Sequence, residues 1–142
     1  MKKDTAPLVM VADRDDSERA QLKAVLKFKG FRVIEAGDGP EAIELAIAQR
    51  PDLLVLDLKL PRLRSSEAIW RIRQEPRLQK LPIVAVSANH TGKIPLDSLT
   101  VHANRPIEFS LLDLYIGRFL PKYALRIDRR NSHSFHQAVT RT

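Results

Sequence analysis

The chain contains no cysteine, which excludes disulfide bridges, thiolate metal sites and thiol catalysis in one step. It has no apolar run near the roughly 20 residues that a membrane-spanning helix needs. Its first residues, MKKDTAPLVMVADRDD, carry two lysines, but the apolar stretch is too short for a signal peptide and ends in acid. A cytoplasmic protein without membrane insertion is expected. No Gly-rich loop follows the first apolar run, so a nucleotide site has no support. No histidine lies near a candidate nucleophilic serine in the pattern, which leaves hydrolase chemistry without support as well. No internal repeat is visible.

What is present is an ordinary globular composition, 44% hydrophobic and 29% charged over 142 residues, enough for one domain with a sizeable core. The net charge of +7 is uneven. Residues 121–142 set Lys122, Arg126, Arg129, Arg130 and Arg141 against Asp128 alone, a local +4, which leaves +3 for residues 1–120. The basic character thus reads as largely a property of the tail. A domain over 1–120 and a basic, flexible extension over 121–142 are expected. Such an extension either stays solvated or binds nucleic acid or another polyanion. His133 and His136 lie within it without the further ligands of a metal site.

Along the chain, strand-like and helix-like segments alternate. Residues 7–12 (PLVMVA) have strand length, and Asp15 with Glu18 resembles a capping box opening a helix. Leu22, Val25, Leu26 and Lys29 show helical spacing, and Gly30 is a stop signal. Residues 31–36 alternate like a strand. Residues 38–50 read as a helix with Pro40 in its first turn and Ile43, Ala46 and Ile47 on one face; Pro51 ends it. Leu53–Leu56 is the most apolar run and ends on Asp57, as in a strand covered on both faces. Ser65 or Ser66 can cap a helix in which Ala68, Ile69 and Ile72 face inward, with Trp70 at the core edge and Arg71 in solvent. Residues 82–86 form a fourth strand ending at Ser87. Residues 88–98 lack a helical period, 99–103 read as a short fifth strand, and a last helix covers about 108–120.

This alternation predicts a doubly wound α/β fold with a five-stranded parallel sheet, whose sites lie at the carboxyl ends of the strands. Those ends supply Asp13, Asp57, Ser87 and Arg105. Carboxylates there can hold Mg²⁺, a hydroxyl can bond an anionic oxygen, and an arginine can fork onto phosphate or carboxylate. Each acid taken alone also fits a strand-end carboxylate that bonds nearby backbone N–H groups.

Over residues 7–120 the chain resembles the receiver domains of two-component response regulators. The resemblance rests on Phe31-Arg-Val-Ile-Glu-Ala-Gly-Asp-Gly39, Pro51-Asp-Leu-Leu-Val-Leu-Asp-Leu-Lys-Leu-Pro61, Pro82-Ile-Val-Ala-Val-Ser-Ala88 and Arg105-Pro106. It implies a flavodoxin-like fold in which Asp57 occupies the phosphoacceptor position, served by a sensor histidine kinase. It implies Mg²⁺ held by Asp57, by an acidic pair beginning at Asp13, and by the backbone carbonyl of Lys59. Ser87 would bond a phosphoryl oxygen. Arg105 stands where the family has a lysine contacting the phosphoryl group, before a proline commonly joined by a cis bond.

The chain departs from that pattern in several places. Arg14 replaces the second acid of the pair, putting a fixed positive charge where a metal ligand belongs. Arg64-Ser65 replaces the usual Asp-Gly. The segment between Ser87 and Arg105 is short, so the fourth helix should be shrunken or absent. His102 stands where many receivers carry a switch aromatic. Either Arg14 and Arg105 flank Asp57 and replace the metal, or Arg14 points to solvent beside Asp15 and Asp16. The expectation is a stand-alone signalling and interaction module rather than an enzyme. It works by phosphorelay through Asp57, or as a pseudo-receiver that signals by binding alone; a third reading is polyanion binding through the tail.

Overall fold

Three of the strands are buried along their whole length, which explains why their sequences read as unbroken apolar runs. The computed structural model describes residues 6–88, 94 and 96–121. The strands are β1 (Leu8–Ala12), β2 (Arg32–Ala36), β3 (Leu53–Asp57), β4 (Ile83–Ser87) and β5 (Thr100–Asn104), with β1, β3 and β4 the buried ones. All pairings are parallel in the order β2-β1-β3-β4-β5. The helices are α1 (Asp16–Phe28), α2 (Gly39–Gln49), α3 (Ser65–Gln74) and α4 (Phe109–Phe119). A 3₁₀ turn at Pro76–Leu78 follows α3. The fold class agrees with the expectation, with β5 one residue later and the last helix slightly shorter.

Alternation along the strands divides the core in two. Val9, Val11, Leu53, Val55, Val84 and Val101 pack with Leu22 and Leu26 of α1 and Leu112 and Ile116 of α4. Met10, Leu54, Leu56 and Ile83 pack with Ala42 and Ala46 of α2 and Ile72 of α3. No helix among the described residues is long and apolar enough to cross a membrane.

Local chemistry sets the helix starts. The Asp15 carboxylate accepts the Glu18 N–H at 2.9 Å, and the Asp38 carboxylate accepts the Glu41 N–H at 2.8 Å, each satisfying a donor that the first turn cannot. Only half of the expected capping box forms. The Asp15 N–H donates to Asp13 Oδ1 at 2.8 Å, while the Glu18 carboxylate turns to Arg105, 3.2 Å away. Neither Ser65 nor Ser66 caps α3: the cap position is Arg64, without a side-chain bond, and the Ser65 hydroxyl donates to the Leu58 carbonyl. Trp70 is not at the core edge but 61% exposed. Lys29, on the apolar spacing of α1, is buried with its ammonium 2.5 Å from Asp113 of α4.

Between β4 and β5, Ala88, Ile94 and residues 96–99 are not helical; the remainder of the expected shrunken helix lies outside the described residues. The same holds for the extension after Pro121, including His133 and His136.

Candidate functional site

In this strand order the chain winds in opposite directions from β1 and β3, and the crevice at their carboxyl ends is where such sheets place their sites. Asp13 and Asp57 end there, 4% and 2% exposed. The strand alternation carries into the site. Asp13 continues the phase of Val9 and Val11, Asp57 that of Leu53 and Val55, and Arg105 that of Val101 and Ala103, all on the α1/α4 side. Ser87 continues the opposite phase, that of Ile83, on the α2/α3 side.

That phase brings Arg105 onto both acids. Its Nη2 donates to Asp13 Oδ1 at 2.6 Å, its Nη1 lies 3.4 Å from Asp57 Oδ1, and its Nε lies 3.2 Å from Glu18 Oε2. Arg105 and Pro106 are joined by a cis peptide bond, the geometry the resemblance implies. Burial pushes the guanidinium pKa down, but the Asp13 hydrogen bond and the charges of Asp57, Asp13 and Glu18 outweigh it, so the pKa is raised above the ordinary arginine value. Asp57 also accepts two backbone donors: the Arg14 N–H at 3.1 Å and the Lys59 N–H at 2.9 Å. The strand-end reading of this carboxylate, as an acceptor of nearby backbone N–H groups, is met.

The two arginines are not equivalent. The Arg14 side chain is 45% exposed and its Nε is 3.9 Å from Asp57 Oδ2, whereas the Arg105 side chain is 10% exposed. Charge pairs are strongly screened at an exposed rim and much less so in a buried site. Arg14 therefore serves Asp57 mainly through its backbone, with its charge at the rim, and Arg105 supplies the internal cation.

The donor set fits a magnesium ion poorly. Mg²⁺ needs oxygen ligands in near-octahedral array at about 2.0–2.1 Å. Asp13 Oδ1 already accepts from Asp15 and Arg105, and a guanidinium bridges Asp13 and Asp57. Among the described residues no group of three or more His, Cys, Asp or Glu is placed to hold a metal ion.

The Ser87 hydroxyl meets a side chain of the neighbouring strand β5. Its Oγ lies 2.9 Å from His102 Nε2, and the His102 carbonyl accepts the Tyr115 hydroxyl at 2.9 Å. A histidine thus does stand beside the serine, contrary to the linear pattern. The pairing follows from the register of β4 on β5, in which Ala85 faces His102. Two further contributors escape sequence reasoning. Glu18 is one, because its spacing reads equally as a capping-box acid. Arg19 is the other: its Nη1 donates to the Asp13 carbonyl at 2.6 Å.

Comparison with known proteins gives this edge a context. AfsQ1, a transcriptional regulatory protein of Streptomyces coelicolor, is 37% identical over 118 residues, covering 80% of this chain and 51% of AfsQ1. The response regulator MprA of Mycobacterium ulcerans is 39% identical over 80 residues, covering 56% of this chain and 34% of MprA. The chain thus spans about half, or less, of the length of these relatives. Among solved structures, the receiver domain of the sensor histidine kinase PA1611 from Pseudomonas aeruginosa has magnesium coordinated in its active-site cleft. It superposes with a TM-score of 0.74 at 22% identity, covering 82% of this chain and 99% of that one. The co-crystal structure of the Saccharomyces cerevisiae phosphotransfer protein Ypd1 with the Ssk1 receiver domain matches at TM-score 0.70 and 20% identity, over 80% of this chain and 88% of that one. These structural likenesses concern the fold. Residues 9–108 match the response regulator receiver domain, and with that match over most of its length the chain belongs to this family of two-component signalling modules.

Proposed function

We propose that this receiver domain signals through protein contacts with its acceptor position held by an internal cation, as a pseudo-receiver rather than a magnesium-dependent phosphoacceptor. The observation that carries the reading is the placement of Arg105 between Asp13, Glu18 and Asp57. Phosphoryl transfer rests almost entirely on positioning and on neutralising charge at the transferring group, a task that divalent cations usually share. Here the carboxylates that would recruit the ion are paired internally, and Arg14 adds a second positive charge at the rim. Arginine keeps its charge at every physiological pH, so the pairing is permanent. Ser87, held by His102, lies on the other phase of the sheet.

The partners of such a module are signalling proteins: a sensor histidine kinase, a phosphotransfer protein or an effector, in the cytoplasm. The Ypd1–Ssk1 complex is an instance of a receiver bound to a phosphotransfer protein.

The deciding experiment is incubation of the full chain with a small acyl phosphate and Mg²⁺, followed by intact mass spectrometry. No phosphoryl adduct is expected on the wild type, and an adduct is expected on the double variant Arg14→Asp, Arg105→Lys, which restores the family's acid and lysine. A wild-type adduct that disappears in Asp57→Asn would show that Asp57 works as an acceptor and would sink the reading.

A further inference from the structure

Residues 59–80 contain seven Lys or Arg and two Glu, a net of +5. Residues 1–120 as a whole carry only +3, so the rest of that stretch is net acidic. The basic character is therefore not confined to the tail: α3 and its flanking turns form a second basic locus.

In the middle of that locus stands the chain's single tryptophan. Ala68 and Ile72 turn α3 onto the core, while Ser66, Trp70 and Gln74 line its outer face one turn apart, all exposed. Some of the surrounding cations have structural partners. Arg71 pairs with Glu67 at 2.7 Å, and Arg73 donates to the Leu81 carbonyl at 2.5 Å and the Thr100 hydroxyl at 3.0 Å. Arg64, Arg77 and Lys80 are exposed, and their side chains have no ion-pair partner among the described residues. A tryptophan ring offers up to roughly 250 Å² of burial. Left 61% exposed in a stretch that also carries these three exposed cations, it has the composition of an interface anchor, where Trp and Arg concentrate binding energy.

We propose that the outer face of α3 is a docking surface for an acidic segment of a partner protein. Trp70 is the apolar anchor, and Arg64, Arg77 and Lys80 are the exposed cations of the same basic locus. Charge complementarity selects an acidic occupant. A protein fits better than a single-stranded nucleic acid because strand-binding surfaces stack successive bases on several aromatics, whereas Trp70 is the one aromatic of α3. Glu67 and Glu75 also lie within the locus, where spaced carboxylates can avoid them and a continuous phosphate run cannot. The face lies on the α2/α3 side of the sheet, away from the Arg105 cluster, so the inference stands or falls apart from the state of Asp57.

Because Trp70 is the only tryptophan, its fluorescence reports on this face alone. The full chain is titrated with a Glu/Leu peptide, a Lys/Leu peptide of equal length, oligo-dT and phosphatidylglycerol vesicles. Only the Glu/Leu peptide should shift Trp70 emission to the blue, saturably. Its apparent affinity should fall at least about tenfold when ionic strength rises from about 0.05 to 0.5 M, as screening shortens the reach of exposed charges. The variant Arg64→Glu, Arg77→Glu changes two exposed positions without an ion-pair partner among the described residues; it should keep the wild-type circular dichroism spectrum and lose at least about tenfold in affinity, since rim charges set attraction. Labelled-peptide anisotropy should show the same loss in Trp70→Ala. An absent shift with the Glu/Leu peptide, a shift with oligo-dT or vesicles in its place, or undiminished affinity in the charge-reversed variant would overturn the proposal.

Discussion

Arg105 Nη2 meets Asp13 Oδ1 at 2.6 Å, joining residues 92 positions apart in the chain. This contact ties the end of β5 to the end of β1 across the intervening β3 and β4, and the same guanidinium lies 3.4 Å from Asp57. A buried arginine between two buried acids is the internal equivalent of a bridging cation. Removing one partner from such a cluster leaves uncompensated charge, which is far costlier than never having built it.

Thermal stability should therefore respond to magnesium in a double variant that removes both arginines and not in the wild type. Adding MgCl₂ to the wild-type chain should leave Tm unchanged, because the acids are already neutralised. The variant Arg14→Asp, Arg105→Ala should melt lower without the ion and recover with it. At ten times Kd the gain is about 1.4 kcal/mol, or roughly 5 °C for a domain of this size. Differential scanning fluorimetry with Mg²⁺ and a Na⁺ control of equal ionic strength reads this directly. A wild-type Tm that climbs with Mg²⁺ would contradict the internal-cation reading.

Gly39 opens α2 with its N–H on the Pro61 carbonyl at 3.1 Å, and a Cβ there would sit 2.5 Å from Leu63 Cβ. The first turn of α2 and the loop after β3 approach too closely for any side chain. Gly39→Ala should cost about 1–3 kcal/mol, the usual penalty of overpacking, measured as a lower urea midpoint. Adding Leu63→Gly removes the opposing Cβ, and recovery of part of the loss in the double variant would identify the clash as the cause.

The sheet was legible because strands buried on both faces must be apolar, as β1 is throughout and β3 and β4 are up to their last residue. Asp57 was legible as a lone acid ending such a run, and Asp15 as a cap because local spacing alone decides that role. The division of labour between Arg14 and Arg105 was not, since both follow a strand and only the phase of Val101 and Ala103 aims Arg105 inward. Ser87 and His102 meet through a strand register that no local pattern encodes. Trp70 follows Ile69 by one residue, so its helical angle reads as a boundary. Whether anything covers a boundary residue depends on its neighbours in space, and among the described residues Trp70 stays 61% exposed.

Lys29 and Asp113 form a pair whose side chains are 1% and 23% exposed, with Nζ and Oδ1 2.5 Å apart. It fastens the end of α1 to α4. Asp113→Ala should cost about 3 kcal/mol, because it removes the carboxylate that faces a buried ammonium. Lys29→Met should cost much less, since a thioether of similar length fills the same space without charge. The asymmetry between the two variants in urea denaturation is the diagnostic, and equal losses would mean that the pair acts through packing alone.

Between α1 and β2, Glu35 accepts from Lys23 Nζ at 2.9 Å and lies 3.2 Å from Arg19 Nε. The Lys23 hydrogen bond is the main cause that draws the Glu35 pKa below its ordinary 4.5, against the opposing effect of burial. Asp15 is drawn below 3.8 first by the Glu18 N–H. A carboxylate depressed in the folded state contributes stability above its unfolded pKa and loses it as pH falls through the folded value. The urea midpoint should therefore hold steady near about pH 6 and decline below pH 4.5. Glu35→Gln should lower the midpoint at neutral pH and narrow the gap between neutral and acid conditions, because the glutamine has no proton to take up. Full acid sensitivity in that variant would assign the decline to other carboxylates and leave the Lys23–Glu35–Arg19 cluster as a surface feature without linkage to folding.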